Sequence, residues 1–325
     1  IVVVDDQSED RTAERVESLA RGNASEIRVI PGRPRPPGWF GKPWACWQGA
    51  GEARGELLLF VDADTIHGPD LMARAVAELF ESGADTLTLI GRQLMESFWE
   101  RLLQPQFFML LAFRFPRTRT PRKPHQWRHA IANGQYLLFH RKTYDELGGH
   151  EAVAGEVVED MRLAQLLVRG GWTLVIRGAD SFQTRMYTSL GDLVQGWGKN
   201  IATGALQATH RFLQPVILPL SLLGGTVLWL VPPVVLLWSL LTGNGGLALR
   251  WSAAATGFGV AFWGLASAVM KGNPLYGFFF PLGSVISAYI FIRSWARGSR
   301  IEWKGRSYEM SMEARKGMDA STPTG

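Results

Sequence analysis

Three long apolar stretches in the last third of the chain constrain its fold most strongly. They occupy residues 215–241, 251–270 and 275–292 and contain no charged residue. A helix that spans the hydrocarbon core of a membrane needs about 20 predominantly apolar residues, so each stretch is long enough or nearly so. Three in succession leave too little polar chain to cover them inside a soluble protein. The sequence predicts a membrane region of two to three transmembrane helices over residues 212–295.

The charges that follow the last stretch bear on its topology. They are Arg293, Arg297, Arg300, Lys304 and Arg306, and residues 296–325 form a basic tail. The positive-inside rule places such a tail in the cytoplasm. Three full crossings from a cytoplasmic N-terminal domain would place it outside, so we expect one stretch to be re-entrant or interfacial. The first stretch, interrupted by Pro232-Pro233, is the candidate.

Residues 1–211 alternate between strand-like and helix-like segments. β-branched and apolar runs predict strands over 1–4, 27–30, 57–61 and 86–90, and helical spacing predicts helices over 8–21, 43–54, 69–82 and 161–168. This alternation is typical of an α/β domain with a mostly parallel sheet. In such sheets ligands bind beyond the carboxyl ends of the strands. A further apolar segment, 98–115, fits either a core helix or a helix on the membrane surface.

Composition excludes several classes of function. The net charge of +5 is small for 325 residues, and no basic stripe accompanies a nucleic-acid-binding module, so no nucleic-acid partner is expected. The single cysteine, Cys46, excludes an internal disulfide framework and a cysteine-based zinc site. The histidines also lack the close paired spacing of zinc ligands; they include His125, His129, His140 and His150.

Two acidic clusters follow predicted strands. Asp62 and Asp64 flank one small residue at the end of the run 57–61, and Asp5-Asp6 end the first run. Two carboxylates so spaced can hold Mg²⁺ or Mn²⁺ through oxygen, and the metal can bridge a diphosphate. It then neutralises charge on a leaving nucleoside diphosphate. Taken alone, a D-x-D pair is more often two surface acids near the next helix.

Two further charged groups accompany these clusters. Lys42 begins the helix before the D-x-D strand and offers a cation near phosphates. Glu159-Asp160 begins an amphipathic helix, where a carboxylate could act as general base on an acceptor hydroxyl. The alternative for this pair is two acids favoured by the helix dipole.

Six segments in this order resemble the family 2 glycosyltransferases of the GT-A (Rossmann-like) type. They read VVVDDQSEDRT, GWFGKPWACWQGA, LLLFVDADT, ANGQYLLFHRKTYDELGGHEAV, VVEDMRLAQLL and QGWGKN. The chain is similar to the membrane-bound branch that includes hopanoid-associated and carotenoid glycosyltransferases, and more distantly to ceramide glucosyltransferase. The resemblance runs from Ile1 to about Tyr308 and implies a nucleotide-sugar-dependent catalytic domain over residues 1–211.

The resemblance implies roles for the acidic and basic residues on the donor side. Asp5 and Asp6 would contact the nucleoside, and Lys42 would lie near the donor. Asp62 and Asp64 would bind the metal and the diphosphate.

The resemblance also implies residues for catalysis and for the acceptor. Asp160 would be the catalytic base, and Glu159, Gly149 and His150 would lie on the acceptor side. A Q/R-x-x-R-W signature that closes over the donor is expected where the chain carries Gln195, Trp197 and Lys199.

The chain departs from the family pattern in two places. The strand that normally precedes the first acidic cluster is missing, and the Q-x-x-R-W signature is replaced by Gln195-Gly-Trp-Gly-Lys199. The second departure argues against a processive polysaccharide synthase.

These features predict an inverting glycosyltransferase that moves a hexose from a UDP- or GDP-sugar to a lipid of the hopanoid, carotenoid or glycolipid type. We expect a multi-pass protein of a bacterial inner membrane with its catalytic domain in the cytoplasm. A polyprenyl-phosphate glycosyltransferase is an alternative, and a non-catalytic membrane assembly partner is another. A phosphate acceptor would need a basic cluster, which could comprise Arg114, Arg117, Arg119, Arg122 and Lys123.

Overall fold

The computed structural model describes residues 1–19, 22, 24–116, 118–119, 123–297, 300–303 and 306–309, with the backbone alone from residue 297 onward. The strands are β1 (Val2–Asp5), β2 (Arg28–Pro31), β3 (Leu57–Val61), β4 (Thr65–His67), β5 (Thr86–Gln93), β6 (Tyr136–His140), β7 (Leu174–Thr184), β8 (Arg300–Trp303) and β9 (Arg306–Glu309). The helices are α1 (Thr12–Glu17), α2 (Gly41–Glu52), α3 (Leu71–Ser82), α4 (Phe98–Arg114), α5 (Arg141–Glu146), α6 (Glu159–Arg169), α7 (Leu190–Ala208), α8 (Gln214–Thr242), α9 (Leu247–Val269) and α10 (Phe280–Arg297).

The predicted alternation of strands and helices is present in the first two hundred residues. The largest difference is at α1, which begins at Thr12 rather than residue 8. There the Asp10 carboxylate accepts hydrogen bonds from the backbone and side chain of Thr12, which favours a turn before the helix. Local side-chain bonding therefore delays the start of this helix.

The main sheet has five strands in the order β3-β6-β5-β7-β4. β5 and β7 are parallel, whereas β6 runs antiparallel to β3 and β5, and β4 runs antiparallel to β7. β1 and β2 form a separate parallel pair. The α/β class is confirmed, but the sheet is mixed rather than mostly parallel. Because β6 runs antiparallel to β5, the chain between them returns to the carboxyl edge of β5 before β6 begins, after Arg119 has bridged to Val175 in β7.

Helices cover both faces of this sheet, and β6 contributes to both cores. Its alternate side chains point to opposite faces, as strand geometry requires. Tyr136 and Leu138 pack with α3, whereas Leu137 and Phe139 pack with α6. The carboxyl end of β3 and the amino end of α6 therefore share one edge of a rigid layer.

The apolar segment 98–115 forms α4, and the two readings of its sequence apply to different halves. Leu102, Leu103 and Phe107 are buried in a cluster that also contains residues of α7 and α10. Leu110 and Phe113 remain 45% and 65% exposed. The first half is thus a core helix, and the second half presents apolar surface outward.

The last third of the chain contains three helices that are long and apolar enough to cross a membrane, judged by length and composition. They are α8, α9 and the segment Pro274–Ala296, which includes α10. α7 ends at Ala208 and α8 begins at Gln214, so the turn between them includes the predicted boundary at residue 211. The predicted domain boundaries at residues 211 and 295 stay predictions.

A buried glutamate anchors α4 to the strand end that precedes α7. The Glu100 side chain is fully buried and accepts a hydrogen bond from the Ser97 backbone N–H, and the Ser97 hydroxyl in turn caps the helix. Arg185 Nε lies 2.9 Å from Glu100 Oε1. These hydrogen bonds lower the pKa of Glu100 although burial opposes the shift.

We expect Glu100→Ala to lower the Tm in detergent by several degrees, because it removes the glutamate half of the capping box and leaves Arg185 without its buried partner. Glu96→Ala is the matched control. Glu96 pairs with the same arginine at 2.7 Å but is 65% exposed, so its loss should leave the Tm little changed. Equal Tm values for the two variants would contradict the anchoring role.

Candidate active site

One lysine joins three segments that are distant in sequence. Lys42 Nζ lies 2.7 Å from Asp62 Oδ1 and 3.0 Å from Glu159 Oε1. Lys42 is in the first turn of α2, Asp62 follows β3, and Glu159 is the first residue of α6. The side chain of Glu159 is only 10% exposed, whereas that of Lys42 is 39% exposed. The cluster therefore extends from the protein interior to solvent.

A glycine lies between this lysine and the second acid of α6. Gly134 donates its backbone N–H to Asp160 Oδ2 at 2.8 Å, and its carbonyl accepts from Lys42 Nζ at 3.4 Å. A Cβ at this position would lie 2.9 Å from Lys42 Nζ and 3.1 Å from Asp160 Oδ2. The segment before β6 is itself fixed, since Asn133 Nδ2 donates to the Leu89 carbonyl at 2.7 Å. Only a residue without a side chain fits here unchanged.

The two acids of α6 have opposite pKa shifts. Burial and, after it, the Glu159 carboxylate raise the pKa of Asp160 to about 6, although Lys42 and the two backbone N–H donors act in the opposite direction. Burial also acts on Glu159, but the Lys42 ammonium overcomes it and lowers the pKa of that carboxyl. Glu159 is therefore the ionised partner of Lys42, and Asp160 is the acid whose charge changes near neutral pH.

The ion pair between Lys42 and Asp62 changes the pKa values of the two groups to different extents. Burial opposes the charge on Lys42, but Glu159 and Asp62 raise its pKa well above the ordinary value. For Asp62, burial outweighs the lysine and raises the pKa. A second cation, Lys199 on α7, faces the same carboxylates; burial lowers its pKa, and Glu159 and Asp160 oppose that shift. The site thus contains two lysines among three carboxylates.

His150 is buried behind the ion pairs and is not a solvated loop residue, because only 2% of it is exposed. Its Nδ1 lies 2.9 Å from the Tyr144 hydroxyl, and its ring meets the Phe60 ring at 4.6 Å. Burial lowers the pKa of His150 to about 4, so the imidazole is neutral at physiological pH. Gly149 has a left-handed φ of 53° against the Tyr144 ring. Both residues shape the wall of the site.

The structure places the remaining predicted residues unequally. Asp64 is exposed near the end of β3, and Asp5-Asp6 lies at the carboxyl end of β1. Gln195 is exposed on α7, whereas Trp197 is 6% exposed and stacks on Phe107 at 4.6 Å. Trp197 therefore packs between α7 and α4, and it is not among the residues that surround Lys42 and Asp160.

Asp62 and Asp64 fit a divalent cation in their chemistry. Both are oxygen donors on one short turn, and Asp64 is open to solvent. In the part of the chain that the structure describes, no three His, Cys, Asp or Glu side chains converge as a complete metal site. Mg²⁺ and Mn²⁺ take further oxygens from water and from substrate phosphates, so two protein carboxylates are sufficient.

Sequence reasoning did not assign three residues that contribute to the site. Gly134 lies inside the quoted motif ANGQYLLF, and a glycine before a strand was its only signal. Cys46, one turn after Lys42, lines a shallow pocket together with Lys42, Asp62, His150, Glu159 and Asp160. Gly196 lets the ring of Tyr187 lie against α7, and Tyr187 is close enough to Asp64 for that charge to raise its pKa, after the larger effect of burial.

Two arginines of the predicted phosphate-binding cluster, Arg114 and Arg119, lie in the part of the chain that the structure describes. Arg114 donates to the carbonyls of Ala208 and Arg128, whereas Arg119 donates to the Ser82 carbonyl at 3.0 Å. Arg117 and Arg122 lie outside the described residues. The two described arginines thus bond to different elements.

Comparison with known proteins identifies the family of the segment that contributes Lys42, Asp62 and Gly134 to this site. Residues 1–148 match the family Glycosyl transferase family 2. They form a family 2 glycosyltransferase domain. Over 328 aligned residues the chain is 24% identical to 4,4'-diaponeurosporenoate glycosyltransferase of Staphylococcus aureus strain MRSA252, covering 96% of this chain and 81% of that protein. The same protein of strain USA300 has equal identity and coverage. The prediction of a glycosyltransferase is confirmed.

A solved structure supports the GT-A fold. A mannosyltransferase from Pyrobaculum calidifontis, in complex with GDP-Man and Mn²⁺, matches with a TM-score of 0.50. The two chains are 16% identical, and the match covers 91% of this glycosyltransferase and 76% of the other. The similarity extends well beyond the family 2 domain toward the apolar helices.

We expect Gly134→Ala to reduce transfer by about ten- to a hundredfold, because the new methyl group displaces Lys42 or Asp160 from its position. Steady-state rates with saturating donor would show the loss. Gly51→Ala is the matched control, since a Cβ at that exposed position on α2 meets no atom within 4 Å. Normal activity in correctly folded Gly134→Ala would mean that this close packing does not matter for catalysis.

Proposed function

We propose that the protein is an inverting glycosyltransferase that moves a hexose from a UDP- or GDP-sugar to a lipid acceptor. The observation that carries the proposal is the cluster of Lys42, Asp62, Glu159 and Asp160 around Gly134. Lys42 and Asp62 would bind the diphosphate at one side of this cluster. Asp160 lies at the other side, and burial raises its pKa to about 6. Such a pair of differently tuned acids is typical of sites for proton transfer.

On the donor side, Asp62 and Asp64 would hold Mg²⁺ or Mn²⁺. A bound metal supplies positive charge that stabilises the leaving nucleoside diphosphate. Lys42 is placed to contact the same phosphates, and Asp5 and Asp6 would bind the nucleoside from the end of β1. The Pyrobaculum mannosyltransferase was solved with GDP-Man and Mn²⁺, which supports a metal and a nucleotide sugar here as well.

On the acceptor side, Asp160 would take the proton from a hydroxyl that attacks the anomeric carbon. The attack is on the face opposite the diphosphate, so a single displacement inverts the anomeric configuration. Glu159 stays ionised and fixes Lys42, while His150 and Gly149 shape the wall. Gln195 and Lys199 on α7 are candidates for contacts that close over the substrates.

The acceptor is proposed to be a lipid of the hopanoid, carotenoid or glycolipid type. The named Staphylococcus relatives act on diaponeurosporenoate, and this chain joins its catalytic domain to long apolar helices. These features support a multi-pass protein of a bacterial inner membrane with a cytoplasmic catalytic domain. The separation of Arg114 and Arg119 gives no support to a polyprenyl-phosphate acceptor.

The first test is release of nucleotide from a panel of UDP- and GDP-hexoses by the membrane-embedded protein, with total lipid extract and with or without EDTA. We expect release that requires both metal and lipid and that is restored by Mn²⁺ or Mg²⁺ after EDTA. Analysis of the glycolipid formed would identify the acceptor. Folded protein that releases no nucleotide from any donor would favour the non-catalytic alternative.

We expect Asp160→Asn to reduce turnover by about 10²- to 10⁴-fold, the usual contribution of a general base. Donor affinity, measured by nucleotide binding in the presence of Mn²⁺, should stay within a few-fold of the wild-type value. Asp62→Asn is the contrasting variant and should weaken donor binding itself. Near-normal turnover in folded Asp160→Asn would overturn the assignment of the base.

We expect kcat/KM at fixed metal concentration to fall as the pH decreases through about 6. The reason is that a base must be ionised, and burial together with Glu159 raises the pKa of Asp160 to about 6. Glu159→Gln removes one of these causes, so the acidic limb of its profile should move to lower pH. If the acidic limb is present in both enzymes and lies at the same pH in each, the pH dependence comes from a group other than Asp160.

A further inference from the structure

The segment that follows α9 begins and ends at the catalytic domain. At its start, Lys271 Nζ lies 2.6 Å from Asp180 Oδ1 in β7. At its end, the Ser294 hydroxyl donates to the Gly198 carbonyl, and the Ala202 N–H donates to that hydroxyl at 3.3 Å. A helix that crossed a bilayer would carry one of these ends about 30 Å away from the domain.

Polar contacts also hold the middle of α10 to the catalytic domain. Gln106 on α4 donates to the Phe280 carbonyl at 3.4 Å and accepts from the Ser287 hydroxyl at 2.9 Å. Ile290 is fully buried in the cluster that contains Phe107 and Trp197. One face of α10 therefore packs along α4 and α7.

The opposite face of α10 is apolar and exposed. Its large side chains are between 42% and 56% exposed, and they are Leu282, Val285, Tyr289, Ile292 and Trp295. Their spacing of three or four residues places them on one side of a helix. Apolar surface of this extent, continuous with neighbouring apolar helices, is suited to lipid.

α8 and α9 differ from α10, because they form an antiparallel hairpin that extends from the catalytic domain and ends beside it again. α8 has 29 residues and α9 has 23, which gives lengths of about 43 Å and 35 Å. Both exceed the hydrocarbon thickness of about 30 Å. α10 alone has 18 residues, about 27 Å, which is slightly less than this thickness. The whole segment Pro274–Ala296 has 23 residues, so its contacts with the catalytic domain, and not its length, argue against a crossing. The turn at Gly243–Gly246 lies at the far end of the α8–α9 hairpin.

We infer that the chain crosses the bilayer twice, through α8 and α9, and that α10 stays in the leaflet on the catalytic side with its outer face against lipid. The last apolar stretch is then the one that does not cross, instead of the first with its Pro232-Pro233. Arg211, Lys271 and Arg293 lie on the catalytic side and Arg250 on the other, so the positive-inside rule makes the catalytic side cytoplasmic.

Two contacts connect this arrangement with the active site. β8 (Arg300–Trp303), which follows α10, contacts α7, so this strand lies beside the catalytic domain. The Ser294 hydroxyl bonds to Gly198, the residue before Lys199, whose charge acts on Glu159 and Asp160. Near its end, the lipid-facing helix α10 therefore bonds to the residue next to Lys199, and Lys199 faces the catalytic acids.

The test is the sidedness of single cysteines in a Cys46→Ser background. Asn244→Cys marks the α8–α9 turn, Ala296→Cys marks the end of α10, and Lys142→Cys marks the catalytic domain at a side chain that is 85% exposed. A membrane-impermeant maleimide is applied to inside-out and right-side-out vesicles. We expect residues 142 and 296 to react from the same side and residue 244 from the opposite side.

Reaction of residue 296 from the side opposite to residue 142 would overturn the inference, and so would reaction of all three from one side. A protease-cleavable tag placed after residue 325 gives the same readout without depending on thiol reactivity. Spin labels at Val285 and Ile292 test the lipid face. They should collide more often with oxygen than with a water-soluble nickel chelate, and a label at Lys142 should show the reverse. Water-exposed labels at both α10 positions would also overturn it. None of these outcomes depends on transfer activity.

Discussion

The ion pairs of Lys42 are the interaction on which the site depends. They join α2, the end of β3 and the start of α6, and the Gly134 carbonyl adds a third contact for the lysine. Glu159 is almost completely buried, and a buried charge is tolerated only when it is paired. The lysine therefore fixes the relative positions of three secondary-structure elements while leaving Asp64 open to solvent. A nucleotide sugar would meet a site whose charges are already in place.

The same interaction separates the properties of two neighbouring acids. Glu159 and Asp160 are adjacent in sequence, yet one forms an ion pair with Lys42 and the other accepts backbone N–H groups from Gly134 and Met161. The pKa of the first is lowered, and the pKa of the second is raised by burial and by its neighbour's charge. Different environments thus give two adjacent carboxylates different pKa values. The partner of Glu159, Lys42, lies more than a hundred positions away in the sequence, and Gly134 lies 26 positions from Asp160.

Catalytic domain and membrane region are not independent units. α4 presents buried Glu100 to Arg185 and buried Gln106 to α10, so one helix binds both the strand end before α7 and the last apolar helix. Trp197 takes part in this packing, with Phe107 on one side. α7 therefore carries Lys199 toward the acids and Trp197 toward the membrane helices. One helix thus contacts both the acids of the site and the last apolar helix.

The sequence by itself determined the α/β class, four strands and four helices of residues 1–211, and the three apolar helices, because the spacing of apolar residues reflects which faces are buried. It did not predict β4, β6, β7, α5 or α7. The order of weak motifs also singled out the residues of the site. The sequence did not determine strand directions, the role of Gly134, the burial of His150 or the position of Trp197. Each of these depends on which distant segments meet: β6 enters the sheet beside β3, and α7 packs on α4. Local patterns record whether a residue is buried, but only the tertiary structure decides what it is buried against.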